Sequence, residues 1–151
     1  MFKIKIVDLL NEKGIQLNLK AKNKEEVLKE LIDILEASGQ LSNRDDFERA
    51  VLERENNFST GIGMGVAIPH GKSNGVKEAS IIFGRSEKGI DYQSMDEAPA
   101  YIFFLIAVPA DSNNEHLNVL SQLSRSLMHS EIREGLKNAK TAQDVIGIFE
   151  Q

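Results

Sequence analysis

YIFFLIAVP, residues 101–109, is apolar or aromatic at every position up to its closing proline. A strand exposed on one face alternates apolar and polar side chains, whereas a strand covered on both faces reads as one continuous apolar run. This segment is therefore expected to be a central strand buried on both sides. Outward from it, ASIIFGR (79–85) reads as a second strand and VAI (66–68) as a short third, ended by Pro69. Ile15, Leu17 and Leu19 alternate as in a further strand. Helical patterns lie on either side of this block. Val27, Leu28, Leu31, Ile32 and Leu35 recur at helical spacing, with Asn23 as the cap, Glu26 three residues on and Gly39 as the stop. A second helix opens near Asn43 and carries Phe47, Ala50, Val51 and Leu52. A long helix is expected from about Ser112, with Leu117, Leu120, Leu123 and Leu127 on one side. Two shorter helices follow, over 130–138 and from Thr141 to the end. Helices, then strands, then helices around a buried strand imply a layered α/β domain with helices on both faces of a mixed sheet. No internal repeat, linker or low-complexity tract divides the chain, and one domain over residues 1–151 is expected.

Composition narrows the function. At 151 residues the chain can bury roughly two-thirds of its unfolded surface, so it needs no disulfide or metal to fold. It has no cysteine, which excludes a disulfide framework, a zinc–thiolate site and a cysteine nucleophile. A formal net charge of −5 argues against a nucleic-acid partner, which calls for a basic patch or stripe. No window approaches the roughly 18 uninterrupted apolar residues of a spanning helix. The opening MFKIKIVDLLNEKG is too short in apolar residues and too early in charge for a signal peptide. The expectation is a cytoplasmic domain.

The chain has three histidines, His70, His116 and His129. A lone histidine is more often a surface or satisfied core residue than a catalyst, so neighbours decide. His70 follows Pro69 at the end of the short strand and precedes Gly71. It is expected on a proline-fixed turn of the kind that carries binding and catalytic residues. Gly61, Gly63 and Gly65 lie just before it and allow close backbone approach or a concave set of amide donors. GIGMG is not a dinucleotide fingerprint, because that motif follows a strand and opens a helix. HGKS is not the end of a nucleotide P-loop, because Val66 stands where the loop needs glycine. His116 falls in the first turn of the long helix, on its apolar face. It is either a buried histidine or part of an anion site at a helix N-terminus. Arg54 shares a face with Phe47 and Val51 and needs an anionic partner. That partner is either an acid such as Glu53 or Glu55, or a phosphate received by its planar fork. His129 is assigned to the surface. The histidines lack short metal-ligand spacing, so no metal is expected.

RENNFSTGIGMGVAIPHGKS (Arg54 to Ser73), together with GIDYQSMDEAP, NNEHL and the closing helices, resembles the fructose/mannitol type of enzyme IIA of the bacterial phosphoenolpyruvate-dependent sugar phosphotransferase system. The resemblance covers nearly the whole chain. It implies a three-layer α/β/α sandwich around a mixed β-sheet. It implies that His70 is phosphorylated, that His116 assists at the phosphate and that Arg54 stabilises the site. The implied donor is the carrier HPr, and the acceptor is a cysteine of a cognate EIIB, which serves a membrane EIIC. No cofactor is implied. The chemistry agrees. A neutral imidazole is a nucleophile near neutral pH. Phosphoryl transfer passes through a loose transition state, so catalysis is mostly positioning and charge stabilisation. Nε2 of His70 is the expected attacking atom, with a carbonyl or side chain keeping the other ring nitrogen protonated. Phe58, Ile62 and Met64 are candidates for an apolar docking patch around it. A nitrogen-branch regulatory EIIA-like protein, a non-catalytic module sensing phosphorylation state and a metal-dependent hydrolase are the competing readings.

Overall fold

In chain order the computed structural model forms α1 (Ile6–Leu9), β1 (Leu10–Gln16), α2 (Lys24–Ala37), α3 (Arg44–Asn57), β2 (Gly61–Gly63), β3 (Val66–Ala67), β4 (His70–Ser73), β5 (Ser80–Ile90), β6 (Ala100–Pro109), α4 (Glu115–Ser126), α5 (Ser130–Asn138) and α6 (Ala142–Phe149). It describes residues 5–112 and 115–150, the side chains of 115–117 excepted. Helix starts follow side-chain chemistry. Asn23 accepts from the Glu26 amide, Asn43 from the Asp46 amide, and Thr141 from the Asp144 amide in a full capping box.

The six strands form one mixed sheet in the order β1-β5-β6-β3-β2, with β4 also on β6. β1 runs parallel to β5, and β5 antiparallel to β6. β3 and β4 occupy successive stretches of the same edge of β6, both parallel to it, opposite Ile102–Phe103 and Ile106–Pro109. β6 divides the core as its composition requires. Ile102, Phe104, Ile106 and Val108 face a cluster with α1, α4, α5 and α6, while Phe103, Leu105 and Ala107 face the cluster of α2 and α3. This is the expected α/β/α sandwich. Among the described residues no helix is long and apolar enough to cross a membrane.

Three local expectations change. The first strand lies at Leu10–Gln16, earlier than the Ile15–Leu19 alternation implied, because a short helical turn leads straight into it. Leu17 and Leu19 nevertheless pack as partly buried residues, one in each core cluster. HGKS is a strand, β4, and no turn: its backbone continues the pairing along β6 that β3 begins. Proline, lacking an N–H, interrupts that ladder at position 69, while its carbonyl still accepts the Ile106 amide at 3.0 Å. On α4 the buried positions are Val119 and Leu123, with Leu120 partly buried, and Leu127 is buried just past the helix end. His129 stands outside α4, as the exposed cap residue of α5.

Candidate functional site

His70 opens β4, opposite Ile106. The strand is fixed from behind by α3. A Cβ at Gly71 would sit 2.9 Å from Val51 Cγ2 and 3.2 Å from Phe47 Cε1, so only glycine lets the strand lie this close to the helix. The half-buried imidazole has Nδ1 at 2.9 Å from the Ile68 carbonyl oxygen. A carbonyl only accepts, so Nδ1 carries the proton and Nε2 holds the free lone pair.

His70 lines a cleft of about 560 Å³ together with Arg54, Phe58, Ser59, Thr60, Ile62, Ile68, Gln93, Met95, Leu120 and Ser124. The structure thus brings His70 and Arg54 to one cavity. Arg54 sits in the last turn of α3. Its Nη1 donates to the Phe58 carbonyl at 2.8 Å, and its guanidinium lies 4.5 Å from the Phe58 ring centroid. Neither Glu53 nor Glu55 pairs with it, contrary to the ion pair weighed from sequence. The buried stripe of α3 runs Phe47, Val51, Glu55, which leaves Arg54 half-buried beside the stripe and facing the cleft. Among the described residues no carboxylate lies within ion-pair distance of it. His116 falls in the first turn of α4, four residues ahead of Leu120, whose side chain lines the cleft. The side chain of His116, like that of Leu117, lies outside the described residues.

The glycine run is a hairpin and not an anion nest. Gly63 and Val66 are paired, and the two residues between them, Met64 and Gly65, both have positive φ (59° and 78°), as tight primed turns require. Two of its amides are already spent: Gly61 donates to Ser59 Oγ and Met64 to Asp96 Oδ2. Asp96 belongs to the β5–β6 connection, and the Met64 and Ala98 amides hold its exposed carboxyl below the ordinary value. The same connection contributes Gln93 and Met95 to the cleft. Phe58, Met64 and Met95 are 70%, 43% and 80% exposed, giving the site an apolar rim. Of the three patch candidates, Phe58 and Ile62 line the cleft and Met64 stands on the adjacent turn.

Sequence reasoning missed Glu55. It is buried on the stripe it completes at helical spacing from Val51, and that spacing was the available signal. Its carboxylate accepts from Thr60 N at 3.2 Å, from Thr60 Oγ1, from Tyr92 OH at 2.8 Å and from Lys24 Nζ at 2.9 Å. Burial pushes its pKa up, but the bonds from Thr60, Lys24 and Tyr92 outweigh this and hold it below the ordinary 4.5. Burial, then Glu55 itself, pushes the Tyr92 phenol far above its usual range. A lowered carboxyl stabilises the fold above its unfolded pKa, and that contribution disappears as pH falls through the lower folded value. The urea midpoint of the parent should therefore fall more steeply below about pH 4.5 than that of Glu55→Gln, whose side chain does not titrate. Parallel slopes in the two proteins would contradict it. Among the described residues no three His, Cys, Asp or Glu side chains form a metal-binding group.

A family model for "Phosphoenolpyruvate-dependent sugar phosphotransferase system, EIIA 2" matches residues 8–151. The chain is 44% identical over 148 residues to the PTS system fructose-specific EIIABC component of Bacillus subtilis, spanning 98% of this chain and 23% of that protein. It is 43% identical over 122 residues to the PTS system fructose-specific EIIA component of Haloferax volcanii, spanning 81% of this chain and 79% of that one. The crystal structure of the nitrogen regulatory protein IIA-Ntr from Neisseria meningitidis matches the fold with a TM-score of 0.88 at 33% identity, over 95% of this chain and 98% of that chain. The chain is thus a phosphotransferase component. It belongs to the EIIA 2 family of the phosphoenolpyruvate-dependent sugar phosphotransferase system.

Proposed function

We infer that this chain accepts a phosphoryl group from phospho-HPr on Nε2 of His70 and passes it to a cysteine of a cognate EIIB during fructose-type sugar uptake. The observation that carries this reading is the Nδ1 hydrogen bond to Ile68, which leaves Nε2 as the nucleophile in a cleft it shares with Arg54. In the first step the Nε2 lone pair attacks phosphorus and the P–N bond to the donor histidine breaks, its electron pair returning to that imidazole. In the second, a thiolate of EIIB attacks the same phosphorus and the bond to His70 breaks, restoring neutral imidazole. The Arg54 guanidinium meets the negative charge on the transferring oxygens, and His116, placed by the helix register at the start of α4, assists it. The apolar rim of Phe58 and Met95 suits transient docking of both partners. The fructose-specific relatives favour sugar uptake beside a membrane EIIC. The match to a nitrogen regulatory protein favours the second reading, a regulatory phosphoprotein with the same chemistry.

Incubation with phosphoenolpyruvate, enzyme I and HPr should place one acid-labile phosphate on the peptide containing His70. Label on the peptide of His116 or His129, or on none, would overturn the assignment. Passage of the label to a fructose-type EIIB favours sugar uptake, and its retention favours regulation. Arg54→Ala should slow single-turnover transfer by about 10²-fold, as loss of one preorganised donor to developing charge does. Arg54→Lys should recover only part, having charge without the fork. Equal rates in all three proteins would remove Arg54 from the mechanism.

A further inference from the structure

We propose that Glu55 is a positioning residue for His70, acting through a relay of backbone hydrogen bonds that sets the tautomer of the imidazole. The proposal rests on His70 being the phosphoryl acceptor. The relay is continuous. Glu55 Oε2 accepts the Thr60 amide at 3.2 Å, and Oε1 accepts the Thr60 hydroxyl. The Thr60 carbonyl accepts the Ile68 amide at 3.0 Å. The Ile68 carbonyl accepts Nδ1 of His70 at 2.9 Å. Each link places the next acceptor, and the last decides which ring nitrogen keeps its proton.

Glu55 is suited to anchor such a chain. It is 7% exposed and is held from its other side by Lys24 Nζ and Tyr92 OH, so its carboxylate has one geometry. Lys24 also lies 4.6 Å from the Tyr92 ring centroid, and Tyr92 is fully buried. A purely structural salt bridge would tie α3 to α2. This one spends two of its bonds on Thr60, at the exact loop that leads into the glycine hairpin. Ile68 has no side-chain hydrogen bond to offer, so the link from Thr60 to His70 runs through its peptides. The last turn of α3 thereby presents Arg54 to the cleft and Glu55 to the scaffold beneath it.

The test is the imidazole itself. Nitrogen-15 NMR of the protein labelled at histidine should show His70 in the parent predominantly protonated at Nδ1. In Glu55→Gln one carboxylate oxygen becomes an NH2 donor, so the four donors from Thr60, Tyr92 and Lys24 can no longer all be accepted, and the Nδ1–H share should drop. The single-turnover rate at saturating phospho-HPr should fall about 10-fold, with half-saturation unchanged within about 2-fold, because misplacement costs rate and not docking. Thr60→Val, which keeps the Thr60 backbone but loses its hydroxyl bond, should show a smaller shift of the same kind and serves if Glu55→Gln fails to fold. A folded variant with the parent tautomer and rate would overturn the proposal, as would a rate loss that follows only the unfolded fraction. The tautomer readout needs no donor protein. If the parent takes no phosphate at His70, the proposed function fails while the NMR measurement still decides the relay.

Discussion

His70→Gln takes no acid-labile phosphate from phospho-HPr: labelling falls by at least about 10³-fold, the scale on which removal of a nucleophile acts. Glutamine is the informative replacement. Its amide reaches as far as Nε2, so it fills the imidazole's place in the cleft and gives up only the bond that Nδ1 of His70 makes to the Ile68 carbonyl at 2.9 Å. What it lacks is a nitrogen lone pair able to attack phosphorus, since an amide nitrogen is delocalised into its carbonyl. Stability should change by no more than about 1 kcal/mol, the worth of one hydrogen bond at a half-buried position. His129→Gln is the control. His129 is exposed at the start of α5 and lines no part of the cleft, so that variant should be labelled like the parent. If His70→Gln is labelled as fast as the parent, the acceptor lies elsewhere and the geometry of the Nδ1 bond has no bearing on transfer. If it is unlabelled and also unfolded by circular dichroism, the comparison moves to His70→Asn with the same expected loss.

Much of this site was legible before the fold was known, and the residues that escaped did so for a physical reason. Pro69–His70 stood out because proline ends a short apolar run and leaves a titratable residue at a boundary. Arg54 stood out because a cation near an apolar stripe demands an anion. Helix starts at 24, 44 and 142 were readable from Asn23, Asn43 and Thr141, whose side chains bond within their own turn. β4 was not readable. HGKS has no apolar alternation of its own, and it is a strand only because β6 offers it an unpaired edge beyond β3. Glu55 escaped because its partners, Lys24, Thr60 and Tyr92, come from three separate stretches of chain, and a carboxylate beside an arginine is first read as that arginine's partner. The role of the glycine run, left between close backbone approach and a set of amide donors, was open for the same reason. Only the fold shows that Asp96, more than thirty residues on, has taken the Met64 amide.

Phe104→Ala should cost about 4 kcal/mol, the largest stability loss expected from a single truncation here. Phe104 is fully buried on β6, with its ring 5.2 Å from Phe83 and 5.8 Å from Phe149, both edge-on. Truncation removes the transfer free energy of the ring, two aromatic contacts and their packing against α6, and it leaves a cavity that a paired central strand cannot move to fill. Against a total stability of roughly 5–15 kcal/mol, that is about a quarter or more of what holds the fold. The midpoint of thermal unfolding should fall by roughly 12 °C, and the urea midpoint should drop with an unchanged slope. Phe58→Ala is the contrast. The same side chain, 70% exposed at the rim of the cleft, should change stability by no more than about 0.5 kcal/mol. The two phenylalanines therefore separate packing from docking: Phe104→Ala should lower labelling only as far as it lowers the folded fraction, whereas Phe58→Ala should weaken capture of phospho-HPr by a protein that is as stable as the parent. A Phe104→Ala midpoint within about 3 °C of the parent would mean that β6 is not the buried centre its sequence and its two core clusters make it.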